Sequence, residues 1–205
     1  MLSDIYPRLF PADIGAKRGK GPLLWLSSNL LKPKTDRIHF FLIGDYLPWD
    51  DDYVILESIG KGIAVGRLSF YKPEDIEIYR VNLGRDPRLL ELDRHLRRRV
   101  AAELTRVGRA RYDYILYAQL ILGAITLLFK GKLPPYDPTD LPYGRNKEYI
   151  CTEAANFGWR AVGHPIILPG VVPTPAGFRQ ALIVNRIRRV FPAISKKTEK
   201  PSPSA

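Results

Sequence analysis

From Arg37 onward, short apolar runs alternate with turn chemistry. RIHFFLIG (37–44) suits a buried strand, YLPWDDD (46–52) is turn-like, and YVILESIG (53–60) reads as a second strand. GIAVGRLSFY (62–71) and IEIYRVNL (76–83) continue as short β runs, the latter with period two. Closely spaced β runs with short connections predict a mostly antiparallel meander. Helical signals follow. Asp86 as N-cap and Pro87 in the first turn open a basic helix through about Val107. Tyr112–Phe129 predicts an apolar helix, and Glu148–Val162 a helix with a cysteine near its start. LPPYDPTDLPYG (133–144) and PIILPGVVPTPAGF (165–178) are Pro/Gly-punctuated connections, and residues 181–191 form a short basic–apolar element. Residues 1–22 mix Pro, Gly and Lys and read as an N-terminal arm, while Leu23–Leu26 is apolar but ambiguous in type. The expected organisation is an arm (1–22), one α+β domain (23–192) and a disordered basic tail (193–205).

Composition narrows the class. A chain of 205 residues that is 45% apolar and 26% charged can bury one ordinary core, which excludes a collagen-like or wholly disordered chain. A single cysteine forms no internal disulfide, so nothing calls for an oxidising compartment. The first residues lack an apolar signal core, making the cytoplasm the default expectation. Tyr114–Phe129 is the segment that raises a membrane question. It is shorter than the ~20 apolar residues a span needs and carries Gln119 and Gly123, so it reads as a core helix. Its basic flanks Arg109, Arg111, Lys130 and Lys132 suit either solvated helix ends or peripheral contact with an anionic membrane.

The net charge of +11 implies an anionic partner or surface. Nine arginines lie between Arg85 and Arg111 against four acids, and Arg94, Arg97, Arg98 and Arg99 are dense enough to cover much of a helix. Such a stripe is a solvated face or a track for the phosphates of nucleic acid or lipid. No helix-turn-helix, zinc or RNA-recognition pattern sharpens that reading. Three scattered histidines without an HExxH pattern argue against a metal enzyme, and no cofactor is expected. Asp50, Asp51 and Asp52 read as a turn or a loose cation site.

Candidate chemistry centres on Cys151. A reactive thiol needs a helix N-terminus or an imidazolium to favour the thiolate, and a helix beginning near Cys151 supplies the first. Of the histidines, His95 sits in the arginine-rich helix and His164 between Gly163 and Pro165 in a turn. His39 lies in an apolar strand, where a titratable ring is out of place unless something uses it. An imidazole base also needs an orienting acceptor, and a hairpin would bring Glu57 beside the strand of His39. Against this, a lone cysteine is most often a small core residue and a strand histidine a structural one.

The order His-on-strand, acid-on-next-strand, Cys-on-helix resembles the circularly permuted papain-like cysteine hydrolases of the NlpC superfamily, the YiiX-like branch. The resemblance spans roughly residues 37–180. It rests on HFFLIGDYLPWDDDYVILES, on the strand pair GIAVGRLSFY and IEIYRV, on Tyr112-Asp113, and on YICTEAANFGWRAVG, where Thr152 replaces the family's serine. Ile38 stands where a small polar residue is commoner, and PLLWLSSNLL occupies the place of an early Gly-Asp strand. The resemblance implies a papain-like fold with Cys151 as nucleophile, His39 as base and Glu57 as third residue. It implies hydrolysis or acyl transfer at an amide, ester or thioester of a small-molecule, peptide or lipid substrate. The alternative is a non-catalytic module on the same fold, binding nucleic acid or anionic lipid through its basic face. Oligomeric state is left open.

Overall fold

A computed structural model describes residues 2–6, 8–20, 33–60, 62–83, 89–107, 150–168 and 174–191. The expected apolar helix 112–129, the loop 133–144, the Asp86-Pro87 helix start, Leu23–Leu26 and the tail from 193 lie outside them.

After a one-turn helix α1 (Leu2–Ile5), the strands are β1 (Ile14–Arg18), β2 (Arg37–Leu47), β3 (Asp52–Ile59), β4 (Gly62–Arg67) and β5 (Ile76–Val81). Then come α2 (Leu89–Val107), α3 (Cys151–Ala161), α4 (Pro175–Ile183) and β6 (Ile187–Phe191). The strands form one antiparallel sheet in the order β4-β3-β2-β1-β5-β6. The architecture is therefore α+β.

Three sequence expectations are corrected. Residues 1–22 are not an arm throughout, because β1 runs through the middle of the sheet with Ala12, Ile14 and Ala16 fully buried. The meander holds for β2-β3-β4 only, and β5 pairs with β1 rather than β4. Within 165–191, Thr174 caps a helix by accepting from the Gly177 N–H at 3.2 Å with Pro175 following it, and the chain turns at Asn185 into an edge strand.

β1 escapes sequence patterning because two of its residues are small. A Cβ on Gly15 would stand 2.0 Å from the Phe41 ring, so β1 must be bare there for β2 to lie beside it. Period-two alternation sorts the sheet's side chains onto two faces. Phe40, Leu42, Leu56 and Tyr79 pack with Val100, Leu104, Ala155 and Trp159 on the helix-covered face. Phe41, Ile43, Ile55, Ile76 and Ile78 join Tyr6, Leu9 and Leu68 on the other. Helix α3 is anchored over β1 by Trp159, whose Nε1–H donates to the Ala12 carbonyl at 3.1 Å. Gly158 lets α3 approach α2 closely, since a Cβ would meet Val100 at 3.0 Å.

The basic stripe is also revised. Arg94, Arg98 and Arg99 are exposed, but Arg97 is only 2% exposed and donates to Asp93 at 2.6 Å and Asp13 at 3.1 Å. Asp13, with no exposed surface, also accepts from Arg80 at 2.6 Å. Arg97 is thus part of the interior. Among the described residues no helix is long and apolar enough to cross a membrane.

Candidate active site

One irregularity in β2 shapes the site. Lys17 of β1 faces His39, yet the next residue, Arg18, faces Arg37, so Ile38 is an extra residue in the ladder. Such a bulge re-aims neighbouring side chains. Arg37 accordingly turns to the helix-covered face and pairs with Glu77 at 3.3 Å. His39 stays on the face of Phe41, its neighbour at a ring-centroid distance of 6.3 Å.

Glu57 lies opposite Phe41 in the β2–β3 register, one pair along from His39, on the same face. It reaches the histidine diagonally: His39 Nε2 donates to Glu57 Oε2 at 2.6 Å. Tyr71 Oη donates to the same oxygen at 2.6 Å. Tyr71 is itself stacked on Phe41 at 5.1 Å and lies under the Lys17 ammonium at 4.6 Å. Sequence reasoning missed Tyr71 and Lys17. An aromatic after a β run and a lysine in an assumed arm carry no local signal, and only strand pairing brings them to Glu57.

Cys151 arrives from the helix-covered side, at the first position of α3. Its Sγ lies 3.7 Å from the carbonyl oxygen of the bulged Ile38 and within hydrogen-bonding reach of the His39 ring. With Nε2 given to Glu57, Nδ1 is the ring nitrogen left for sulfur. Nothing in Ile150 can cap the helix through its side chain, but the Ile150 N–H donates to Glu153 at 3.0 Å. The glutamate of Cys-Thr-Glu is thereby accounted for as a first-turn anion that holds the chain entering the helix. Asn156 fixes the exit, accepting from the Ile166 and Ile167 N–H groups, each at 2.9 Å.

The three candidates from sequence, Cys151, His39 and Glu57, thus meet at one end of the sheet. His95 and His164 are exposed and stand apart. The aspartates of 50–52 are each committed to protein donors: Asp50 to Arg67, Asp51 to the Tyr46 hydroxyl, and Asp52 to Ser69 and the Tyr53 N–H. Among the described residues no group of three His, Cys, Asp or Glu side chains could hold a metal ion.

Electrostatics favour a charged ring. Burial opposes the imidazolium, but hydrogen bonds and charge from Cys151 and Glu57 outweigh it, and His39 is raised from 6.5 to about 9. Burial works against the Glu57 carboxylate too. Its bonds from His39 and Tyr71, with the charges of His39 and Lys17, nevertheless hold it below its ordinary value. Tyr71 is pushed up by burial and by its bond to Glu57, so it stays a donor.

These shifts predict a pH window for stability. A raised His39 contributes fully below 6.5, and its contribution is lost as pH rises through about 9. A lowered Glu57 contributes above 4.5 and is lost as pH falls through its folded value. The pair is therefore strongest between about 4.5 and 6.5. Urea titrations should find wild type losing on the order of 2 kcal/mol more than His39→Ala between pH 6.5 and 9. Parallel losses in the two proteins would refute the coupling.

No protein-family model matches this chain, and no curated protein sequence matches it.

Proposed function

We propose that the protein is a thiol-dependent hydrolase or acyltransferase on a circularly permuted papain-like fold of the NlpC-superfamily type. Cys151 is the nucleophile, His39 the acid–base and Glu57 its orienting partner. The observation that carries the reading is the bond from His39 Nε2 to Glu57 at 2.6 Å, made while the same ring meets the thiol at a helix N-terminus. Nucleophile, base and orienter come from three elements, an arrangement that core packing does not require.

His39 takes the Cys151 proton and leaves sulfur as the thiolate. Sulfur attacks an amide, ester or thioester carbonyl, forming the S–C bond and an oxyanion. The Cys151 N–H sits in the first helical turn, where no intrahelical acceptor exists, and is suited to receive that oxygen. Collapse breaks the bond to the leaving group, which takes the His39 proton. Water or another acceptor then gives its proton to His39 and displaces the acyl group from sulfur. Hydrolysis and acyl transfer differ only in that acceptor.

The test is acyl-enzyme capture. With p-nitrophenyl acetate, wild type should release a burst of p-nitrophenol and carry one acetyl group by intact mass, mapped to Cys151. Cys151→Ala should lose both. Identical nitrophenol release by the two proteins, with no adduct, would end the proposal.

A second observation favours a non-catalytic use of the basic face. The exposed Arg94 and Arg98 line, with Arg8, a cavity of about 820 Å³ over Phe10 and Tyr46. Binding of anionic vesicles or nucleic acid there would weaken steeply with salt and be indifferent to Cys151→Ala.

A further inference from the structure

A smaller cavity, of about 270 Å³, opens on the helix-covered face at the β2 end that carries His39. Its walls include Lys34, Asp36, Arg37, Glu77, Arg179 and Arg189. The chain ties it to the thiol: Arg37 of its wall is the neighbour of Ile38, whose carbonyl oxygen is 3.7 Å from Cys151 Sγ. Arg179 follows Phe178, which packs on Phe40 of the same strand at 4.4 Å. The cavity and the nucleophile therefore flank one short stretch of β2.

Its carboxylates are already committed. Glu77 Oε1 meets Arg37 and Arg189, each at 3.3 Å, and Oε2 accepts from the Tyr79 hydroxyl. Asp36 is shared by Arg18 at 3.0 Å and Arg37 at 3.5 Å. Arg37 is held further by the Asp75 carbonyl at 2.9 Å. Among the described residues neither Lys34 nor Arg179 has a carboxylate partner. The cavity is thus an acid-neutralised frame with two cations in surplus, sized for a small group rather than a long chain.

We infer that this cavity recognises an anionic group, carboxylate or phosphate, on the acyl substrate, with Lys34 and Arg179 as specificity-determining residues. The inference rests on Cys151 being the nucleophile of the proposed function. It narrows the substrate to acyl compounds whose charge lies a few bonds from the reacting carbonyl, and disfavours neutral ones.

Paired alkylation tests it. Iodoacetate and iodoacetamide react alike with sulfur, forming S–CH2 and expelling iodide, but only the first carries a carboxylate. The ratio of their rates at Cys151 in folded wild type should exceed the ratio in urea-unfolded protein. Lys34→Gln/Arg179→Gln should lower the folded ratio about fivefold, and so should high salt in wild type. Succinate and inorganic phosphate, each tested for slowing iodoacetamide, separate the two anion chemistries. A folded ratio equal to the unfolded one overturns the inference. So does a raised ratio that the double variant leaves in place, since His39 alone would then account for it. If Cys151 reacts with both reagents no faster folded than unfolded, the proposed function falls first and the inference with it.

Discussion

In His39→Ala, alkylation of Cys151 by iodoacetamide at pH 7 is expected to slow by about tenfold to thirtyfold. An ordinary cysteine, titrating near 8.5, is only ~3% thiolate at that pH, so its partner can raise the reactive fraction roughly thirtyfold at most. Some of that gain is offset because a stabilised thiolate is a weaker nucleophile. The raised affinity of His39 for its proton, to about 9, puts a cation beside sulfur throughout the neutral range. The gap between wild type and variant should therefore narrow as pH approaches 9. Glu57→Gln keeps the ring but removes the anion that orients and charges it, so its loss should be smaller. Equal rates in wild type and His39→Ala across the pH range would mean the thiol and the ring are neighbours without being partners. Because the chain has a single cysteine, intact mass reads this reaction without ambiguity.

The second large effect concerns stability. Asp13→Ala should lower the unfolding free energy by about 3–5 kcal/mol. Asp13 has no exposed surface and receives Arg97 at 3.1 Å, Arg80 at 2.6 Å and the Phe10 N–H at 2.9 Å. Arg97 is 2% exposed, so without Asp13 a buried guanidinium keeps, among the described residues, only Asp93 and the Val81 carbonyl as hydrogen-bond partners. An uncompensated buried charge is what makes breaking such a pair costly. Asp13→Ala/Arg97→Met removes both charges and should recover part of the loss, so the two substitutions will not add. Urea midpoints at unchanged m-value are the measurement. A cost below about 1 kcal/mol for Asp13→Ala would show that Arg97 finds water instead.

Much of the site was legible because its signals are local. A histidine in an apolar strand is conspicuous, and so is an acid closing the next apolar run. The hairpin between them is written in YLPWDDD, so His39 and Glu57 could be brought together on paper. A helix with Cys151 near its start was legible, but the pattern put its beginning at Glu148, whereas it begins at Cys151 with Glu153 as its first-turn anion. Tyr71 was not legible. Nothing near it marks a partner for Glu57, and its hydroxyl reaches that carboxylate only because the 3-10 turns after β4 fold it over the sheet.

The larger misreading was of residues 1–22. Sequence periodicity detects strands that bury bulky side chains, whereas β1 has Gly15 and Ala16 where the ring of Phe41 and the helices claim the space. Its place between β2 and β5 is a long-range pairing, with no trace in its neighbours. Arg97 was misread for a related reason. An arginine within a run of arginines looks solvated, and only the burial of Asp13 under α2 turns it inward.

By itself, then, the amino-acid sequence determined the local elements: the β2–β3–β4 meander, the basic helix, a helix with Cys151 near its start, and the three residues worth testing. These follow from side-chain periodicity, turn chemistry and capping, which act over a few residues. Tertiary structure decided where β1 and β5 sit, which arginine is buried, how the β2–β3 register sets His39 beside Glu57, and how the Ile38 bulge turns Arg37 to Glu77. Those outcomes depend on which surfaces exclude water together and which charges must then be paired, and both are properties of the assembled chain.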